Sequence, residues 1–229
     1  MYIEAVTVCV NYSDILSLVI STNKLVLDNW IIVTDSKDKD TKKLCDMHGV
    51  RCIVTDIFYE NGETFNKGKG INAGFDCLTL KGWVLHLDAD IMLPINLKSV
   101  LKSDDLETDC LYSMDRIDIV GRDMYIDVLQ GMHNVYNNYV FLEAKYPIST
   151  RMFHDKMGYC PIGYFQLFHN SKFIPYNEHH ETAARSDVLF LNNWPKNKRR
   201  LHPGAFVYHL MSENSPMGTN WNGRISKKF

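Results

Sequence analysis

Two apolar rhythms alternate along the first half of the chain. Residues 4–12 (EAVTVCVNY) are dense in β-branched positions and end near polar Asn11, which predicts a strand. A helical spacing follows over 13–25, then a second apolar strand over 29–35 (NWIIVTD) that ends on Asp35. Residues 38–49 (DKDTKKLCDMHG) read as an amphipathic helix stopped by Gly49, and 50–56 (VRCIVTD) as a third strand. The stretch 66–78 (NKGKGINAGFDCL) opens another helix, and 83–91 (WVLHLDADI) is the fourth strand. Near-continuous apolar strands separated by helices predict an α/β fold whose mixed, mostly parallel sheet is covered on both faces. Ligands of such sheets bind beyond the carboxyl ends of the strands. That gathers Asn11, Asp35, Asp56, Asp88 and Asp90 around one crevice.

After residue 95 the rhythm is less regular. Strands are predicted over 109–120, 163–169 and 204–210, and a helix over 186–194 that Ser186 or Asp187 would cap. With no low-complexity linker and no internal repeat, the 229 residues make one domain with a sizeable core. A net charge of −2 gives no global reason to expect a nucleic-acid or membrane-surface binder, although KNKRR (196–200) and RISKKF (224–229) are locally basic. The six cysteines form no CxxC pair, which predicts reduced thiols and no cysteine zinc site. The N-terminus has no basic n-region, and no apolar run approaches the ~20 residues needed to span a bilayer. A cytoplasmic protein without a membrane anchor is the expectation.

Candidate chemistry concentrates in KGWVLHLDADIMLP, residues 81–94, where an apolar strand runs into Asp88 and Asp90. Carboxylates at the end of a buried strand are costly without a positive partner. Mg²⁺ or Mn²⁺ would serve, since these ions take one or two carboxylates together with substrate phosphates and stabilise charge on a departing diphosphate. Asp-x-Asp alone is common in solvated turns. Here the glycine- and lysine-containing stretch FNKGKGINAGF (65–75) precedes it, and its Lys67 or Lys69 would face phosphate oxygens. His86, inside the strand, reads as structural.

These stretches carry a resemblance. WVLHLDADIMLP looks like the Asp-x-Asp strand of GT-A fold glycosyltransferases, and FNKGKGINAGF is similar to the FNRAKLLNVGF pattern of their inverting galactosyltransferase branch. GYFQLFH, ARSDVLF and VYHL follow in the order such enzymes require. The resemblance implies a single GT-A domain, with residues 1–95 binding a nucleotide-sugar, UDP-linked by expectation, and 96–229 binding the acceptor. It implies a metal on Asp88, Asp90 and His209, with His202 as the rival histidine. It places Asn11, Tyr12, Asp35, Asn66, Lys67, Lys69, Asn72, Asp88 and the tail residue Arg224 around the donor. Asp187 becomes the base that takes the acceptor proton, with inversion, although Ser186 stands where such enzymes often carry a second acid. Gly163, Tyr164, Phe165 and Trp194 would line the acceptor side.

The expected acceptor is a glycan, a protein or hydroxymethylated DNA of the kind phage enzymes glucosylate, the last because 196–200 and the tail would suit phosphate contacts. A nucleotidyltransferase also uses paired aspartates but should show a glycine-rich signature near the N-terminus, and VCVNYSD is not one. A non-catalytic nucleotide-sugar-binding module is the remaining alternative.

Overall fold

The computed structural model describes residues 1–103, 105–132, 153–154, 158–179 and 182–211. β1 (Ile3–Val8), α1 (Ser13–Val26), β2 (Asn29–Thr34), α2 (Lys39–His48), β3 (Arg51–Val54), α3 (Lys67–Phe75) and β4 (Trp83–Leu87) follow the expected alternation. The second half adds β5 (Ile91–Met92), α4 (Leu97–Ser103), β6 (Leu111–Val120), α5 (Gly121–Met132), β7 (Phe153–His154), β8 (Gly158–Tyr159), β9 (Phe165–His169), α6 (Ser186–Leu191) and β10 (Arg199–Met211). One eight-stranded sheet runs β3-β2-β1-β4-β9-β6-β10-β5. The β1–β2, β1–β4, β2–β3 and β6–β10 pairs are parallel, whereas β4–β9, β6–β9 and β10–β5 are antiparallel.

Alternation along β1 shows why both faces are covered. Ile3, Ala5 and the following Cys9 pack with Ile15, Leu16, Val19 and Ile20 of α1. Val6, Val8 and Val10 pack on the other face with Ile71 and Phe75 of α3 and Phe190 of α6. α3 lies so close to the sheet that a Cβ on Gly74 would stand 2.4 Å from Val6 Cγ1. Glu4, buried in β1, accepts from Asn29 Nδ2 at 2.8 Å and from the backbone N–H groups of Thr79 at 2.8 Å and Lys81 at 3.1 Å. It thereby ties β2 and the approach to β4 onto the central strand.

The strand expected over 83–91 is broken. β4 stops at Leu87, residues 88–90 turn with Ile91 N–H donating to Asp88 O at 3.3 Å, and β5 then pairs with β10. In a flat sheet β4 and β5 would lie about 19 Å apart at the usual strand spacing. The four chain steps from Leu87 to Ile91 reach at most about 14 Å. The sheet therefore curls, bringing the tips of β4 and β10 together. α4 and α5 were not anticipated, and β10 begins earlier than expected, with a register shift between Leu201 and Phe206. The residue before α6 is Arg185 in the left-handed region (φ 67°), so neither Ser186 nor Asp187 is its cap.

Candidate active site

At the curled edge the two aspartates acquire different partners. Asp88 is held by its backbone N–H on Tyr164 O at 3.2 Å, and its Oδ1 receives the ammonium of Lys67 from the first turn of α3. Asp90 is held by its carbonyl, which accepts Leu210 N–H at 2.8 Å, and its Oδ2 lies 3.6 Å from His209 Nε2. Burial and the neighbouring Asp90 push the Asp88 carboxyl above its ordinary value in spite of Lys67. Against the same burial, His209 holds Asp90 below the ordinary value. Burial alone would lower the His209 imidazole, but Asp90 and Asp118 raise it. Asp118 Oδ1 lies 2.8 Å from His209 Nδ1.

Of the three residues expected to hold the metal, Asp90 and His209 approach each other. Among the described residues Asp88, Asp90 and His209 do not converge as a triad, and a lysine of the chain itself is paired with Asp88. Asp90 and His209 do suit a divalent ion. Asp90 Oδ1 is buried with no hydrogen-bond partner, and the 3.6 Å between Oδ2 and Nε2 is a small adjustment from the separation of about 3 Å that neighbouring ligands have in an octahedral shell with ~2.1 Å bonds. His202, the rival, is buried in the β10 irregularity. Glu107, Asp109 and Cys110 do converge, but Lys198 occupies both carboxylates at 2.6 and 2.9 Å.

Asp187, on α6, lies within electrostatic reach of Lys67 and Asp88. Its Oδ2 accepts Gly163 N–H at 2.9 Å and its Oδ1 accepts Val188 N–H at 2.8 Å. A Cβ on Gly163 would stand 2.9 Å from Asp187 Cβ, so this glycine serves as a backbone donor at close approach. Beneath the site Tyr176 joins Gln166 and His86. Gln166 Nε2 donates to Pro161 O at 2.6 Å, so its Oε1 takes the Tyr176 hydroxyl proton and His86 Nδ1–H donates to Tyr176 at 2.8 Å.

The remaining donor-side residues divide. Asn11 is exposed at φ 56° with its N–H on Asp38 Oδ2 at 2.7 Å, and Tyr12 is half-buried beside it. Asp35 is buried, accepting from Tyr59 at 2.7 Å and from the N–H of Lys37 at 3.0 Å and Asp38 at 2.8 Å. Lys69 does not face the aspartates: Glu63 takes it at 2.7 Å. Asn66 caps α3 through Lys69 N–H at 3.1 Å and donates to Glu178 O at 2.6 Å. Asn72 donates to Glu178 Oε1 at 2.6 Å and accepts Tyr176 N–H at 2.8 Å, lining a separate cleft of about 430 Å³ with Glu178 and Asn193. Both asparagines therefore fasten residues 176–178 to α3, because a loop crossing a helix needs partners for its backbone groups. On the acceptor side, Phe165 (0% exposed) and Trp194 (3%) belong to the core and have no surface to offer a substrate. Arg224 lies outside the described residues.

Asp118 and its partner Arg116 were missed. The signal was available: in DRIDIV, core residues Ile117 and Ile119 alternate with an acid on the opposite face of β6.

No protein-family model matches the chain, and no curated protein sequence does. Among solved structures the chain is similar to mannosyl-3-phosphoglycerate synthase from Rubrobacter xylanophilus, with a TM-score of 0.52 and 15% identity over 88% of this chain. It spans 65% of that protein. It is also similar to glucosyl-3-phosphoglycerate synthase from Mycobacterium tuberculosis bound to UDP, with a TM-score of 0.54 and 15% identity over 94% of this chain and 73% of that one. The same enzyme with Mn²⁺, UDP and glucosyl-3-phosphoglycerate gives 0.52 and 15% over 91% and 71%. These likenesses establish the fold, the GT-A arrangement expected from the Asp-x-Asp strand.

Proposed function

We propose that the chain is a metal-dependent glycosyltransferase moving a sugar from a nucleotide diphosphate donor, UDP-linked in the first instance, to an acceptor hydroxyl. One observation carries this: Asp90 Oδ2 and His209 Nε2 face each other at 3.6 Å on the curled edge, with the Lys67 ammonium on the adjacent Asp88. The fold supports it, since solved structures of the same fold hold UDP and Mn²⁺. Asp90 and His209 would hold the ion, which when bound neutralises the diphosphate as it leaves. Lys67 offers its charge to the same phosphates, held in place by Asp88. As the acceptor oxygen bonds to the anomeric carbon and the bond to the diphosphate breaks, the hydroxyl proton passes to Asp187. Its two backbone bonds fix the carboxylate and leave each oxygen a further lone pair. A single displacement of this kind inverts the anomeric centre.

The acceptor hydroxyl is proposed to belong to a small molecule or a glycan. Within 196–200, Lys198 and Arg200 pair with Glu107, and Arg199 is buried against Trp194 O and Asn192, so this segment is not a free phosphate-binding strip.

The test is a donor panel monitored by thermal shift with and without Mn²⁺, followed by transfer to candidate acceptors. Mn²⁺ together with the right donor should raise Tm, by about 3 kcal/mol of stabilisation at a hundredfold excess over Kd, and Asp90→Ala should remove the metal-dependent part. Asp187→Asn should keep donor binding and lose transfer by about 10²–10⁴-fold, with an inverted product from the native chain. An Asp90→Ala protein that still responds to Mn²⁺ defeats the site, and donor binding without turnover identifies a binding module.

A further inference from the structure

We infer that Asp118 is a positioning residue for the cation pair: its carboxylate sets the tautomer and the aim of His209, so that the Nε2 lone pair faces Asp90. This rests on the metal-dependent reading above and adds a residue that neither the motif nor the fold supplies. β6 and β10 run parallel with Asp118 and His209 as direct Cα partners, which places the two side chains side by side on one face. Asp118 Oδ1 lies 2.8 Å from His209 Nδ1 and 2.9 Å from Arg116 Nε. An ionised carboxylate only accepts, so Nδ1 brings the proton to its contact with Asp118. With the proton on Nδ1, neutral His209 presents a lone pair at Nε2, 3.6 Å from Asp90 Oδ2. A cation between these two atoms would be met by a lone pair from each. With the proton on Nε2, the same ring would turn an N–H toward the cation and oppose it.

Arg116 keeps Asp118 in place. It is buried, with its guanidinium 5.2 Å from the centre of the Tyr164 ring. The Tyr164 hydroxyl donates to Met114 O, and its carbonyl accepts Asp88 N–H at 3.2 Å. The row Arg116–Asp118–His209–Asp90 is thus anchored at one end to the same turn that carries Asp88. Partners behind a ligating histidine commonly govern metal affinity in this way.

The experiment titrates the full chain with Mn²⁺, reading the free ion by electron paramagnetic resonance, for the native protein, Asp118→Asn, Asp118→Ala and Asp90→Ala. Asp118→Ala should weaken Mn²⁺ by about 10–100-fold. Asp118→Asn, whose amide oxygen still accepts Nδ1–H, should lose less. Metal-free Tm establishes folding, and if the alanine variant does not fold the asparagine variant carries the comparison. In ¹⁵N-histidine spectra at alkaline pH without metal, native His209 should carry its proton on Nδ1 and Asp118→Ala should shift it toward Nε2, a change that loss of packing alone would not produce. A folded Asp118→Ala chain with native Mn²⁺ affinity, or a native His209 protonated on Nε2, overturns the assignment while leaving Asp90 and His209 as ligands. A native chain that does not bind Mn²⁺, or Asp90→Ala with native affinity, overturns the metal-dependent reading and this assignment with it.

Discussion

Lys67 has an 18% exposed side chain and reaches an aspartate whose side chain is 28% exposed, so each charge depends on the other. Removing one member leaves the other poorly solvated and uncompensated. Lys67→Met should destabilise the fold by about 2–4 kcal/mol, toward the lower part of what breaking a buried pair costs because some exposure remains. Lys67→Met combined with Asp88→Asn should recover most of that loss in urea unfolding at neutral pH, and an additive double variant would show that the pair is not coupled. The contrast with Asp90 is instructive. The two acids are two positions apart in sequence, yet Asp88 meets a lysine from α3 and Asp90 a histidine from β10. Nothing local in Asp-x-Asp distinguishes them, since the difference comes from which distant element passes each carboxylate.

Element positions were largely readable because apolar period and turn chemistry act locally. The strand-to-helix alternation through β4 and the left-handed Gly49 that ends α2 (φ 61°) are examples. The errors were also physical. Ile91 and Met92 continue the apolar run of β4, but they pair with β10, a partner far along the chain. Glu4 shows how elements are joined by a group whose role the pattern does not reveal. Burial would raise its carboxyl, but bonds from Asn29, Thr79 and Lys81 bring it below its ordinary value of 4.5. A carboxyl lowered on folding stabilises the protein above that value, and the contribution is lost as pH falls through the folded one. Glu4→Gln should cost about 1–3 kcal/mol at pH 7, which for a chain of this size is a Tm fall of about 2–4 °C per kcal/mol. The difference from the native chain should shrink in acid melts, and a constant difference down to low pH would remove Glu4 as the cause.

The described parts of both halves join in one curled sheet, and several of their charges are paired with one another. All six cysteines are free, and among the described residues no helix is long and apolar enough to cross a membrane. Lys198 and Arg200, which as sequence suggested phosphate contacts, neutralise Glu107 and Asp109 instead. Sugar transfer to a small acceptor should therefore change little between low and moderate salt. A fall of several orders of magnitude would instead mark a nucleic-acid acceptor, whose binding releases counterions.

The sequence by itself determined the α/β alternation, the strand that delivers Asp88 and Asp90, and the candidacy of Lys67, Asp187 and His209, because periodicity and residue chemistry are properties of neighbours along the chain. Only the tertiary structure decided that Lys67 belongs to Asp88 and His209 to Asp90, that Asn66 and Asn72 fasten a loop, that Phe165 and Trp194 are core, and that Asp118 stands behind His209. Those outcomes depend on the curl of the sheet and on the parallel register of β6 and β10, which bring together residues about ninety positions apart. No local pattern encodes that distance.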